Sequence, residues 1–324
     1  MASQPFITFL DITKIFNKNV VLDGLSLEIP FGEIFGIIGK SGSGKTTLLS
    51  TLVGFLKPEK GKVFYQGQEI TDVHSTIREQ FGFTAQEGSF YSKLTVKENL
   101  EYFGTMYNLS STKIEKEIPK VLELVSLTGE ENKIASQLSS GMQKRLDIAC
   151  GILHDPKVLI LDEPTEDLDP LLRKGILNLL KKINKEKDVT IVITSHLLSE
   201  MEHICTRLAI LYDKQILTTG TLNELKDNYS KNQEIILETY SGKYDSLIRI
   251  LKRKESVEKV VESRGKLIIY SPKAESVLRF LLAELNSRKE KILDVDLNKP
   301  SLSEVFESLT RKNVQINRNN KKES

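Results

Sequence analysis

The run Gly39-Lys40-Ser41-Gly42-Ser43-Gly44-Lys45-Thr46 constrains this chain more than any other feature, because it fits G-x-x-x-x-G-K-[ST] in matching surroundings. Ile34-Phe35-Gly36-Ile37-Ile38 before it reads as a short buried strand, and Thr47 to Val53 after it reads as the first turns of a helix. A loop so placed holds phosphates. Its glycines let several N–H groups converge on one anion, and the helix N-terminus adds partial positive charge. Lys45 brings a full charge to the outer phosphates, and the Thr46 hydroxyl suits Mg²⁺. The chain is expected to bind ATP or GTP.

Length and charge narrow the rest. With 324 residues there is room for a nucleotide domain and a smaller one. Forty-six basic against 44 acidic residues give +2, too near neutral to argue for nucleic acid. No apolar run approaches the roughly 18 residues of a membrane helix, and Met1 to Leu10 lacks the blocks of a secretory signal. Cys150 and Cys205 read as buried thiols of a reducing compartment. Glu200-Met201-Glu202-His203 has the form of one di-iron ligand pair, but such sites need two copies, so it reads as a solvated helix face.

Residues 6–30 alternate like antiparallel strands, and 62–70 like a further strand or hairpin. From about 92 to 150 the period is helical, with Val96, Leu100 and Phe103 on one face and Ile118, Leu122 and Val125 on another. Val158 to Leu161 and Val189 to Ile193 are short β-branched runs suited to central parallel strands. After about Lys226 the rhythm changes. A polar linker, 227–232, leads to strand 233–240, helix 244–254, strands 256–261 and 266–271, helix 273–286 and strand 291–297. That βαββαβ order is the ferredoxin-like split pattern. Ser301-Leu302-Ser303-Glu304 is a capping box opening a last helix, and residues 313–324 are polar and basic, with the composition of a disordered tail.

Leu161-Asp162-Glu163-Pro164 supplies the second half of a hydrolase. Asp162 ends an apolar strand, where a Mg²⁺ ligand belongs, and Glu163 is suited to polarise an attacking water. With these residues in hand, the chain resembles the ATP-binding-cassette ATPases over residues 1 to about 225. The phosphate loop and Asp162-Glu163 look like the family's two Walker motifs. Leu138-Ser139-Ser140-Gly141-Met142-Gln143 looks like its LSGGQ signature, and Phe83-Thr84-Ala85-Gln86 like its Q-loop. Glu166-Asp167-Leu168-Asp169 looks like the D-loop and Thr194-Ser195-His196 like the switch histidine. Phe16 stands where an aromatic usually stacks on adenine. The single cassette, the signature methionine and the end motif Asp294-Val295-Asp296-Leu297…Ser301-Leu302-Ser303-Glu304-Val305-Phe306 are similar to the ATPase subunits of ABC-2-type exporters.

The resemblance implies a P-loop α/β cassette over 1–226, with an antiparallel β subdomain and a helical subdomain at about 88–150. It also implies a small α+β domain over 233–311 and a tail over 312–324. ATP and Mg²⁺ are the implied cofactors, with Thr46, Gln86 and Asp162 on the metal and Glu163, His196, Gln86 and Lys45 in catalysis. Gly39 to Thr47 (Gly39, Lys40, Ser41, Gly42, Ser43, Gly44, Lys45, Thr46, Thr47) and Phe16 would hold ATP on one subunit. Ser139, Ser140, Gly141 and Asp169 of a second cassette, identical or not, would close on it head to tail. A separate transmembrane permease would dock near Ser89-Phe90-Tyr91, placing the chain in the cytoplasm on the inner face of the membrane.

Two positions depart from the family. Ser140 stands for a signature glycine, adding bulk beside the γ-phosphate, and Asp167 for a D-loop glycine, giving up backbone freedom. Lys45, Asp162, Glu163 and His196 are all kept, so an active ATPase is expected. The alternatives are a soluble relative acting on DNA or ribosomes and an importer ATPase. The former carry coiled-coil or zinc insertions or two cassettes, which this chain lacks. The latter is opposed by the end motif.

Overall fold

A computed structural model describes residues 5–70, 79–229, 233–263, 265–298, 301–307 and 309–310. It divides into two compact units, Met1–Thr221 and Leu222–Ser324.

Two sheets build the first unit. In the antiparallel sheet, β1 (Ile7–Phe16) pairs with β2 (Asn19–Ile29) and with β4 (Lys60–Tyr65), which pairs with β5 (Gln68–Glu69). Alternation along β1 turns Ile7 and Phe9 inward, and a register shift between Phe9 and Ile12 brings Ile12 into the same core, all three buried. The central sheet has the order β10-β9-β3-β8-β7-β6. Five of its strands are parallel: β9 (Arg207–Tyr212), β3 (Ile34–Ile38), β8 (Thr190–Ser195), β7 (Val158–Leu161) and β6 (Phe81–Thr84). β10 (Gln215–Thr221) closes one edge antiparallel to β9. β3, β7 and β8 are buried at every residue, which is why their sequences show no alternation.

β3, β7 and β8 end side by side, and their C-terminal ends carry the phosphate loop, Asp162-Glu163 and His196 respectively. That is the position where parallel α/β sheets place ligands. α1 (Lys45–Leu52) follows the phosphate loop.

Between β6 and β7 lie α2 (Val96–Met106), α3 (Ser111–Leu124) and α4 (Ser140–Ile152). Thr95 and Glu98 form a capping box on α2, while Ser110 and Ser139 cap α3 and α4. α4 lies directly against β6: a Cβ on Gly82 would sit 2.0 Å from the Gly151 carbonyl oxygen. α5 (Pro170–Lys187) and α6 (Leu198–Ile204) complete the unit. Both cysteines are free and buried.

The second unit opens with α7 (Leu222–Tyr229), so Asp227, Asn228 and Tyr229 end a helix where composition read a linker; the remainder of that linker, 230–232, lies outside the described residues. Then follow β11 (Gln233–Thr239), α8 (Asp245–Leu251), β12 (Lys259–Ser263), β13 (Lys266–Ser271), α9 (Ala274–Ser287) and β14 (Ile292–Asn298). The sheet is antiparallel in the order β12-β13-β11-β14, the split βαβ arrangement. Ile235, Leu237, Leu267 and Ile269 bury one sheet face with Leu247, Leu251, Val277 and Leu281 of α8 and α9. Tyr244 is buried among them, its hydroxyl accepting from Thr239 N at 3.0 Å and donating to Gly265 O at 3.0 Å. Residues 302–307 are helical behind the Ser301–Glu304 box. The basic tail, 312–324, lies outside the described residues.

Candidate nucleotide site

The phosphate loop has the backbone its sequence demands. Gly42 and Gly44 take φ of +75° and +103°, which non-glycine residues rarely adopt. A Cβ on Gly39 would meet Ser43 Oγ at 2.5 Å and Leu211 O at 2.6 Å, so that turn admits glycine alone. Lys45 folds back over the loop, donating to Gly39 O at 3.1 Å and Lys40 O at 3.3 Å. The Ser43 hydroxyl is buried with no hydrogen-bond partner. Backbone N–H groups of a loop so turned suit phosphate oxygens.

A cavity of about 380 Å³ opens over the loop, lined by Val21, Ser41, Gly42, Gly44, Lys45, Thr46, Thr47, Gln86, Glu163, Glu166 and His196. The segment after β7 supplies its acid side. Glu163 stands at φ +46°, a costly conformation for a glutamate that functional sites hold by surrounding contacts. Its amide donates to Thr194 Oγ1 at 3.0 Å. Its carboxylate lies 3.0 Å from Lys45 Nζ through Oε1 and accepts from His196 Nδ1 at 2.9 Å through Oε2. A carboxylate beside an ammonium accepts, so Nδ1 is the donor of this pair. Asp162 is buried behind this layer, accepting from Thr194 Oγ1 at 2.6 Å. Thr194 thus ties Asp162 and Glu163 to β8.

The structure brings together Lys45, Gln86, Glu163 and His196 with Ser41, Gly42, Gly44, Thr46 and Thr47 at one cavity. Thr46 and Gln86 line it and Asp162 lies one layer beneath. This hydroxyl, amide and carboxylate set is all oxygen, the donors Mg²⁺ prefers.

Phe16 does not line this cavity, whereas Val21 of β2 does; Phe16 ends β1, 40 % exposed, with Lys14 Nζ 5.2 Å from its ring centroid.

Ser139, Ser140, Gly141 and Asp169 are also absent from this chain's cavity. Ser139 caps α4 and Asp169 caps α5, its carboxylate accepting from Leu171 N at 2.9 Å and Leu172 N at 3.0 Å. The two caps are linked, since a Cβ on Gly141 would meet Leu172 Cδ2 at 2.8 Å. Ser140 is exposed, and Asp167 adopts φ +60°, a left-handed conformation that aspartate tolerates better than most residues.

Three residues escaped sequence reasoning. Thr194 and Thr165 are small polar residues whose pairing is visible only in space. Glu200 was read as solvated but is buried: Thr165 Oγ1 donates to it at 2.5 Å and Arg173 Nη1 lies 3.4 Å away. The correction has a plain cause, because α6 packs its first turn against the strand-end segment that carries Thr165.

Residues 22–166 match the family described as ABC transporter, and residues 220–310 the family described as ATP-binding protein DrrA1-3-like, C-terminal domain. The chain is 31% identical over 307 residues to the linearmycin resistance ATP-binding protein LnrL of Bacillus subtilis (strain 168), covering 94% of this chain and 98% of that one. It is 30% identical over 313 residues to the Nod factor export ATP-binding protein I of Rhizobium sp. (strain N33), covering 97% and 99%. Among solved structures, a bacterial ABC transporter cassette in dimeric form is similar with a TM-score of 0.61 at 28% identity, over 67% of this chain and 98% of that one.

Proposed function

The chain belongs to the ATP-binding proteins of ABC transporters, an ATPase family, and from that premise we propose that it powers a separate transmembrane exporter through ATP-driven closure of two cassettes. The observation that carries the hydrolase reading is Glu163, fixed between Lys45 and His196 on the wall of the phosphate cavity.

Lys45 leaves Glu163 for the β- and γ-phosphates as ATP enters, freeing the carboxylate. Glu163 then takes a proton from a water whose oxygen attacks the γ-phosphorus, and the bond to the β–γ bridging oxygen breaks. His196 orients that water and the γ-phosphate. Thr46, Gln86 and Asp162 would hold Mg²⁺, which would supply charge neutralisation for the phosphates.

Ser139, Ser140, Gly141 and Asp169 serve the cavity of a second cassette. Their absence from the wall of this chain's own cavity and the dimeric form of a similar cassette support that reading. With its free hydroxyl exposed at the first turn of α4, Ser140 adds a donor rather than an obstruction.

Among the described residues no helix is long and apolar enough to cross a membrane. On this reading the membrane path belongs to another subunit and the chain works on the inner face of the cell membrane, as the match to the ABC transporter family supports. Its docking surface is the edge beside the Gln86 segment, where Tyr91 and Tyr102 stack edge to face at 4.8 Å with Met106 nearby on α2, all exposed. Export rather than import is supported by the relative named for Nod factor export. The smaller α+β domain, 233–311, accompanies the cassette as an accessory domain.

The test is a pull-down of tagged protein from gently solubilised native membranes. Recovery of a polytopic membrane protein supports the reading, and recovery of ribosomes or DNA-repair proteins instead overturns it.

A further inference from the structure

We propose that Glu166 is a positioning residue that sets the orientation of the Gln86 amide, turning its oxygen toward the metal. The inference rests on the reading of Gln86 as a Mg²⁺ ligand.

Gln86 Nε2 donates to Glu166 Oε2, and both side chains line the cavity. A carboxylate accepts and never donates, so it selects the nitrogen end of an amide. The oxygen end, which alone can ligate a hard cation, is thereby directed away from Glu166. The Gln86 side chain is otherwise exposed, on a turn closed by Gly88 N to Ala85 O at 3.1 Å.

Glu166 is well mounted for this task. Thr165 beside it is buried and donates to Glu200, Glu166 N donates to Glu163 O at 3.1 Å, and Arg173 Nε donates to Leu168 O at 2.5 Å. The carboxylate therefore projects from a backbone anchored on both sides. This is the relation of an outer carboxylate to a metal ligand, and loss of such partners typically weakens metal binding about 10–100-fold.

The test titrates Mg²⁺ into the full chain with a fluorescent ATP analogue bound, beside binding of the same analogue without metal. Glu166→Ala is expected to raise the Mg²⁺ needed for half-saturation about tenfold and to leave metal-free nucleotide binding within about twofold. Glu166→Gln, whose amide can donate as well as accept and so no longer selects one end of Gln86, is expected to lose most of the effect as well. In a Gln86→Ala background, Glu166→Ala adds nothing further. Thermal melts of each variant separate these effects from unfolding.

Wild-type Mg²⁺ dependence in Glu166→Ala or in Glu166→Gln, or full additivity with Gln86→Ala, overturns the proposal. If Gln86→Ala itself keeps wild-type Mg²⁺ dependence, the metal assignment of Gln86 falls, and this inference with it.

Discussion

Lys45 and Glu163 form an ion pair, Nζ to Oε1 at 3.0 Å, with both side chains buried at the base of the phosphate cavity. The residue proposed to grip phosphate and the residue proposed to activate water thus neutralise each other. Removing one partner of a buried pair leaves an uncompensated charge and costs about 3–5 kcal/mol. Because His196 still faces Glu163, Lys45→Ala is expected near the lower end, a loss of about 3 kcal/mol in urea unfolding. The same variant is expected to lose ATP binding in equilibrium titration.

Gly82 carries a purely steric demand. With the Gly151 carbonyl oxygen only 2.0 Å from the place of a Cβ, the clash is backbone against backbone and no rotamer relieves it. Gly82→Ala is expected to destabilise by about 3 kcal/mol, at the upper end of ordinary overpacking. Gly151→Ala meets Thr84 Cγ2 at 3.2 Å instead and is expected to lose about 1 kcal/mol. Chemical denaturation of the pair checks the order.

At Asp167 the departure from glycine is absorbed by the backbone, which holds φ at +60°. Asp167→Gly is expected to stay within about 1 kcal/mol of the parent. Asp167→Val, β-branched in a left-handed position, is expected to lose about 2 kcal/mol. Equal melting temperatures for the two variants would remove the backbone explanation.

His154 makes acid stability measurable at one residue. Burial pushes its imidazole down to about 4, against an ordinary 6.5, as it stacks on Tyr107 at 3.6 Å and donates to Phe81 O at 3.2 Å. The unfolded chain takes up this proton below about 6.5 and the folded chain only near 4. Its contribution is therefore whole above pH 6.5 and is lost as pH falls toward 4, an upper limit of about 3 kcal/mol. Burial holds the Asp147 carboxyl above its usual range, which acts in the opposite sense. Comparing the parent with His154→Gln cancels Asp147, and the variant is expected to show the shallower fall in stability between pH 6.5 and 4.

What the sequence discloses here follows physical range. The phosphate loop, the strands β3, β7 and β8, and the β11–β14 order of the second unit depend on local pattern, and each is legible from neighbouring residues. β6 and β9 are not. Phe81 to Thr84 holds a glycine that packing against α4 requires, so its strand signal is diluted. Glu200 and Thr194 act through residues about thirty positions away, and no local period marks them. The signature and D-loop residues are legible as motifs, yet their positions in this chain are helix caps joined through Leu172 and Gly141, a relation without any sequence signal.

The most direct measurement is the oligomeric state of Glu163→Gln with and without ATP, by gel filtration with light scattering. The substitution keeps an acceptor for Lys45 but removes the base, a change that typically slows such chemistry about 10²–10⁴-fold. The account predicts a dimer that forms with ATP and persists, while ADP leaves monomers. A Glu163→Gln protein that binds ATP and stays monomeric would contradict it.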